Sequence, residues 1–259
     1  MLKDNMQVFK KYKSLLNDLV TRDFKVKYRR SALGFLWSIL NPLLMMIVIT
    51  SVFQTLFRFE IENFPVYYLS GSLIYNFFSE ATSSALTSVV NASALIKKVY
   101  IPKYIFPLEK VLFSCINMLF SFTSVIIIII ILKAKVYWTI ILIPIPMIYI
   151  TAFCVGIGLI LATFQVFFRD VGHLYSVLLT AWFYLTPIIY PVDILPANIL
   201  GLVKLNPVYY FVDYARQLIL YGTLPDLHIN LICLAFSSSF LLLGLIIFKH
   251  RQDSFILYI

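Results

Sequence analysis

Long apolar stretches separated by short polar breaks run along almost the whole chain. They predict an all-α integral membrane protein with six transmembrane helices, at Gly34–Phe57, Val66–Val90, Val111–Leu132, Trp138–Phe164, Leu174–Tyr190 and His228–Phe248. All but the fifth have the roughly twenty residues that cross the ~30 Å hydrocarbon core of a bilayer. The fifth contains Thr186-Pro187 near its end, which predicts a short or broken helix.

The segment that precedes the first span is polar and has the periodicity of an amphipathic helix. The residues on its apolar face are Phe9, Tyr12, Leu16 and Val20. Those on its polar face are Lys11, Asp18, Arg22, Lys25 and Arg29. We expect a basic interfacial helix within residues 1–33, followed by a transmembrane domain over 34–259. A plain anchor to anionic lipid that only sets the topology would show the same pattern.

Residues 191–227 form the longest break between spans. This segment has four prolines and an apolar stretch, Tyr209–Tyr221, that predicts a short helix at the outer interface. Loops that retain apolar character often pack back onto the protein and can gate a cavity. A simple connection between spans five and six is the alternative.

Composition and charge agree with a membrane location. Hydrophobic residues make up 61% of the 259, and the net charge is +9. Nine of the 21 Lys and Arg residues precede residue 31, which favours an anionic membrane surface over nucleic acid as the partner. With six crossings, sixteen basic residues would lie on the cytoplasmic side and five outside, so both termini are expected to be cytoplasmic.

The second span carries a polar stripe in which Ser72, Asn76 and Glu80 recur at four-residue steps. A carboxylate at mid-span costs roughly 2.5–3.5 kcal/mol on insertion scales, so Glu80 should face protein or water. The stripe could line a pathway or form hydrogen bonds between helices.

Aromatic residues deep in the second and fifth spans could stack on sugar rings or pack in the core. They are Tyr75, Phe78, Trp182 and Tyr184.

Two short basic turns suit docking of a soluble partner, although positive-inside topology alone would also explain them. They are residues 95–103 and 167–170.

Enzymatic chemistry has little support, because the sequence has no phosphate-binding loop with GK[ST], its three histidines are scattered, and its three cysteines lie far apart in apolar stretches. We therefore expect no catalytic or metal site.

Residues 21–42, TRDFKVKYRRSALGFLWSILNP, resemble the entry to the first span of polysaccharide-exporting ABC transporter permeases, a family that includes O-antigen and teichoic acid exporters. Further similarities, in the family's order, are at 95–102, 166–170, 186–190 and 206–207. The resemblance implies a homodimeric permease in the bacterial cytoplasmic membrane that exports a lipid-linked glycan. ATP and magnesium would be bound by a separate ATPase subunit, present in two copies, and this chain would bind no cofactor.

The resemblance also implies roles for individual residues. The cytoplasmic gate, which would meet the pyrophosphate of the lipid-linked glycan, comprises Arg22, Lys25, Lys27, Tyr28, Arg29 and Arg30. The channel lining comprises Trp37, Tyr75, Asn76, Phe78, Glu80, Trp182 and Tyr184. The ATPase-coupling turn comprises Lys97, Lys98, Tyr100, Ile101 and Pro102. Segment 191–226 would form short outer gate helices.

Two other functions remain open at this point. An ABC exporter of a small lipid or drug would share the same fold, because fold does not fix the substrate. A membrane enzyme acting on lipid-linked sugars would need clustered acid and base groups, for which only Glu80 and Glu109 are available.

Overall fold

The computed structural model describes residues 2–29, 31–56, 61 and 63–259, with side chains from residue 12 onward except those of 54–56. Within these ranges the chain is all-helical and has no β-strand, which confirms the predicted class. The helices are α1 (Leu2–Tyr28), α2 (Trp37–Leu56), α3 (Phe64–Asn91), α4 (Ser93–Ile96), α5 (Ile105–Ile131), α6 (Pro144–Phe167), α7 (Val171–Leu185), α8 (Ala197–Leu205), α9 (Pro207–Arg216) and α10 (Leu227–Arg251).

Four segments of the described chain are long and apolar enough to cross a membrane. They are Gly34–Phe53, Ile105–Ile131, Trp138–Phe167 and Leu227–Leu257, which match the first, third, fourth and sixth predicted spans. The second prediction corresponds to α3, which has 28 residues but carries the polar stripe. The fifth corresponds to α7, which ends at Leu185 because the Thr186-Pro187 step cannot continue the helix.

Helix α3 is the central element of the bundle, since it packs against α2, α5, α6, α7 and α9. Its end, α4 and the start of α5 lie together at one end of the bundle, hereafter the α4 end. The start of α3, the end of α5 and α9 lie at the opposite end, hereafter the α9 end. A second, smaller core at the α4 end joins Leu16 and Leu19 of α1 to Ile101 and Phe255.

The stretch Tyr209–Tyr221 is helical, as predicted, and it packs into the bundle. It forms most of α9 and a π-helical turn, Gln217–Tyr221, and side chains such as Phe211 and Leu218 are fully buried. Asn206 starts α9 by accepting a hydrogen bond from the Val208 N–H at 2.9 Å. The hydrophobic face of the segment is therefore covered by protein, chiefly by α3.

Helices α6 and α10 approach each other backbone to backbone. A Cβ atom on Gly156 would overlap the Phe240 carbonyl group, and one on Gly244 would overlap the carbonyl of Gly156. Small residues at such crossings allow the close packing that drives helix association in membranes. Glycine is therefore required at both positions for steric reasons.

We predict that Gly156→Ala destabilises the protein by about 3 kcal/mol, because rigid backbone leaves the added methyl group no space. Thermal unfolding of the purified protein measures the effect. Gly201→Ala in α8 is the matched control: a Cβ there meets no atom within 4 Å, and helix propensity should raise stability by roughly 0.5 kcal/mol. Equal melting temperatures for the two variants would contradict the proposed close packing.

Candidate functional site

A cavity of about 920 Å³, hereafter the α1 cavity, lies between the end of α1, the start of α2, and the middle of α3 and α5. The polar stripe of α3 faces it, and Asn117 and Ser121 face it from α5. Aromatic rings complete the wall. They belong to Tyr28, Trp37, Tyr68, Phe77 and Phe183. The lining therefore combines hydrogen-bonding groups with flat apolar surfaces.

At the end of the α1 cavity nearer α4, an ion pair connects α1 to α3. The Lys27 ammonium lies 2.7 Å from a carboxylate oxygen of Glu80. Asn117 donates to the other oxygen of that carboxylate at 3.2 Å, and its own side-chain oxygen accepts from the Tyr28 hydroxyl at 2.8 Å. Both charged side chains are 37% exposed, so the pair contributes no more than about 1 kcal/mol. It is strong enough to orient the side chains and weak enough to exchange for another ligand.

Helix α1 reaches this position because it packs along the first half of α5. Phe24 contacts the ring of Phe113 edge-on, with centroids 4.8 Å apart. One turn away along α5, Lys110 forms an ion pair with Asp23. The Asp23 carboxylate also accepts a hydrogen bond from Arg22 at 2.9 Å. The last turns of α1 therefore extend into the bundle, further than a purely interfacial helix would.

The charge of Asp23 is held by these partners across the neutral range. Burial would raise the pKa of Asp23, but hydrogen bonds from Lys110 and Arg22 outweigh burial and lower that pKa below its ordinary value of 3.8. The stabilisation is therefore fully present above pH 3.8 and is lost only as the pH falls through the lower folded pKa. Attachment of α1 through Asp23 does not vary near neutral pH.

The predicted gate residues fall on two faces of α1. Lys27 and Tyr28 face the α1 cavity, whereas Arg22, Lys25 and Arg29 line a separate, shallow groove on the outer surface of the helix. Arg30 lies outside the described residues. The structure thus brings two of the six predicted gate residues together with the predicted channel residue Glu80.

The predicted channel residues are divided in the same way. Trp37, Asn76 and Glu80 line the α1 cavity. The remaining four do not line it. Three of them connect α3 to α7: the Tyr75 hydroxyl donates to the Leu179 carbonyl, and Trp182 packs on Phe78 with ring centroids 5.1 Å apart. The fourth, Tyr184, is 66% exposed. Helical geometry explains the division, because residues two apart on a helix point about 200° apart.

Tyr68 and Phe183 line the α1 cavity but were not among the sequence candidates. Tyr68 precedes Ser72 by four residues, so extending the stripe one more turn would have identified it. Phe183 has no such signal, because its position depends on how α7 packs against α3.

At the α4 end, the predicted coupling turn is exposed at Lys97, Lys98 and Tyr100, while Ile101 is buried and Pro102 is half-buried. Ile101 belongs to the smaller core and fixes the turn. The C-terminal segment connects this turn to the second basic turn: Lys103 donates to the Gln252 carbonyl at 2.6 Å, and Arg169 donates to the Tyr258 carbonyl at 3.0 Å. The two turns predicted to dock a partner thus form one continuous surface.

A buried cation, Arg216, holds the α9 end together. Its guanidinium donates to the carbonyl oxygens of Pro187 at 2.7 Å, Ile188 at 3.3 Å and Tyr67 at 3.4 Å. It also stacks on the Tyr67 ring, 3.5 Å from the centroid. A Cβ atom on Gly71 would lie 2.7 Å from Nη2, so glycine leaves the space that the guanidinium needs.

Asn206 forms a second junction near this end. Its side-chain oxygen accepts from the Trp182 indole N–H at 2.6 Å, and its amide donates to the Thr186 hydroxyl at 2.8 Å. The end of α7 is therefore joined to the start of α9. No local sequence pattern indicates this role of Arg216, because its partners lie 28 to 149 residues away.

We predict that Arg216→Met destabilises the protein by about 3 kcal/mol, because three carbonyl oxygens lose their donor in a buried site. Arg216→Lys should recover only part of this, since an ammonium cannot reproduce the planar fork. The control is Arg251→Met, the same change at an exposed position. Thermal unfolding distinguishes them, and a wild-type melting temperature for Arg216→Met would contradict the role.

Comparisons with known proteins agree on one family. The family model described as ABC-2 type transporter matches residues 15–220. The chain is 31% identical to the O-antigen export system permease protein RfbA of Myxococcus xanthus over 246 residues, which is 94% of this chain and 95% of the relative. It is 29% identical to the Klebsiella pneumoniae protein of the same name over 84% of this chain and 85% of that protein. The polysialic acid transport protein KpsM of Escherichia coli is 20% identical over 95% of this chain and 96% of that protein.

Proposed function

Because the chain belongs to the ABC-2 type transporter membrane family, we propose that it is the transmembrane subunit of an ATP-driven exporter that moves a lipid-linked polysaccharide across the cytoplasmic membrane. The names of the relatives support a polysaccharide, either O-antigen or another acidic or neutral surface glycan. The observation that carries the proposal is the α1 cavity, whose polar and aromatic lining suits successive sugar units.

The six-span topology is part of this proposal. Helices α2, α3, α5, α6, α7 and α10 are the spans, both termini are cytoplasmic, and α8 and α9 are outer gate helices. Two observations support this topology. The polar stripe of α3 faces the α1 cavity, and Arg216 donates a hydrogen bond to a backbone carbonyl of the extended turn after α7. The short helix α7 can therefore serve as a span, because the backbone groups that follow it have hydrogen-bond partners within the protein.

A second copy of the chain completes the pathway. Helix α2 is scarcely covered by the rest of its own chain, and its exposed apolar residues include Leu44, Met45, Ile47, Val48 and Val52. The same helix contributes Trp37, Asn41 and Met45 to the α1 cavity, which is open on that side. Pairing two copies across α2 would join two such cavities into one channel.

Two ATP-binding subunits, which carry ATP and magnesium, dock at the α4 end. The exposed turn at Lys97, Lys98 and Tyr100 inserts into each of them, and Ile101 transmits the movement because it is packed in the smaller core with α1 and α5. Hydrolysis on the partner then shifts the permease between closed and open states. This chain performs no covalent chemistry.

The gate opens by exchange of charge partners. In the closed state Glu80 neutralises Lys27. The pyrophosphate of the lipid-linked glycan takes over as the partner of Lys27 and of the Tyr28 hydroxyl, since phosphate oxygens are strong acceptors for charged donors. An exposed ion pair of small net energy permits this exchange.

The two alternatives are less well supported. A membrane enzyme would need its carboxyl groups together, but Glu80 is paired with Lys27, whereas Glu109 is buried beside Lys110 and does not line the α1 cavity. A transporter of one small lipid would not need a cavity lined by twelve hydroxyl, amide and charged residues along α1, α2, α3 and α5.

The function is tested with the chain co-expressed with its candidate ATP-binding subunit and reconstituted in vesicles. We expect a stable complex of two plus two subunits, whose ATP hydrolysis increases severalfold when lipid-linked glycan is added. Failure to associate with any ATP-binding subunit would overturn the assignment, and stimulation by small lipids alone would favour the second alternative.

The gate mechanism predicts opposite effects for the two members of the ion pair. Lys27→Gln should raise the concentration of lipid-linked glycan for half-maximal stimulation about 10-fold, because a charged hydrogen bond of roughly 1.5 kcal/mol to phosphate is lost. Glu80→Gln should lower that concentration, because the substrate's competitor is removed. Lys25→Gln, on the other face of α1, is the matched control. If both variants shift the concentration in the same direction, the pair is only structural.

A further inference from the structure

A second cavity, of about 800 Å³, lies at the α9 end. It is enclosed by the start of α3, the turn after α5, the turn after α7 and the π-helical turn before Gly222. Besides Tyr67, its lining has six polar or aromatic residues: Asn63, Lys133, Lys135, Tyr137, Asp193 and Tyr221. The α1 cavity shares none of these residues.

The backbone of this second cavity is strained at two positions. Asn63 has φ of +53° and Lys133 has φ of +51°, and they are the two non-glycine residues with positive φ in the described ranges. Lys133 follows the end of α5, where the Ala134 N–H closes the helix on the Ile129 carbonyl at 3.0 Å. Glycine is the residue of lowest cost at such a helix end. The sequence has a lysine at this position, and Lys133 lines the cavity.

The charged groups of the second cavity have no partners within the described part of the chain. Lys133, Lys135 and Asp193 form no ion pair or side-chain hydrogen bond with any described residue. Two ammonium groups and one carboxylate therefore remain available to a ligand. The described part of the lining thus carries one more positive than negative charge and has one strong acceptor.

Tyr137 supplies a rigid flat surface beside these charges. A Cβ atom on Gly222, whose φ is +64°, would overlap the Tyr137 ring, so ring and backbone are in direct contact. The neighbouring Thr139 hydroxyl donates to the Leu218 carbonyl at 2.6 Å and fixes this turn to the π-helical turn. A second ring, Tyr221, is 53% exposed at the same cavity.

We propose that the second cavity binds an acidic saccharide. A sugar ring stacks on Tyr137 or Tyr221, its anionic substituent pairs with Lys133 and Lys135, and Asp193 accepts hydrogen bonds from its hydroxyl groups. The inference rests on the proposed export of a glycan, and it narrows the cargo to a polymer that carries carboxylate or phosphate groups. The site holds such a unit as it leaves the channel.

The test uses the full complex in detergent and fluorescently labelled trigalacturonate as the probe, with labelled maltotriose as the neutral counterpart. Fluorescence anisotropy should show at least 10-fold tighter binding of the acidic probe. Lys133→Gly and Lys135→Gln should each weaken its binding 5- to 10-fold, while Lys204→Gln, at an exposed lysine outside the cavity, should not change it. Lys133→Gly should melt no lower than the wild type, because glycine relieves the positive φ.

Three results would overturn the proposal: equal affinity for the two probes, an equal loss in Lys204→Gln, or displacement of trigalacturonate by glycerol phosphate at the affinity of the acidic sugar. The last would identify a bare phosphate or lipid-headgroup site. Absence of binding in a complex whose ATP hydrolysis still responds to lipid-linked glycan would reject the second cavity alone. Loss of that response in the wild type would reject the export function itself.

Discussion

A backbone carbonyl that loses its helical partner inside an apolar bundle must find another donor, and the α9 end is organised around this requirement. The break after α7 frees the carbonyls of Pro187 and Ile188. Arg216 donates to both and stacks on Tyr67, which itself donates to the Tyr190 carbonyl at 2.8 Å. One guanidinium thus joins the end of α7, the start of α3 and α9, at a depth where an unmade hydrogen bond is expensive.

The contacts divide the chain into a firmly held part and a loosely held part. Helices α6 and α10 touch through glycine backbones, and α9 is fixed by buried side chains. By contrast, α2 has few buried residues, and the last turn of α1 meets α3 through the partly exposed Lys27–Glu80 ion pair, whereas its earlier turns are held by Leu16 and Leu19 in the smaller core. Movement during transport therefore has a natural place at α2 and the last turn of α1, because weak, solvated contacts rearrange at low cost.

Much of this arrangement follows from periodicity in the sequence. The stripe Ser72, Asn76 and Glu80 faces the cavity because four-residue spacing keeps side chains on one face, and the proline after Thr186 ends α7. Tyr75 and Phe78, chosen for their chemistry, lie on the opposite face of the same helix. Arg216 and Asn206 could not be predicted, because their roles depend on partners distant in the chain that only the folded bundle brings near.

The order of Arg216 and its partners along the chain has a consequence for biogenesis. Tyr67, Pro187 and Ile188 all precede Arg216 in the chain, so the ribosome synthesises them before it. The chain thus supplies all three acceptor carbonyls before the cation that they bind, and a buried cation needs such partners. The buried site at the α9 end can form only after α3 and the turn after α7 have been synthesised, and α10, which packs on α6, follows α9 in the chain.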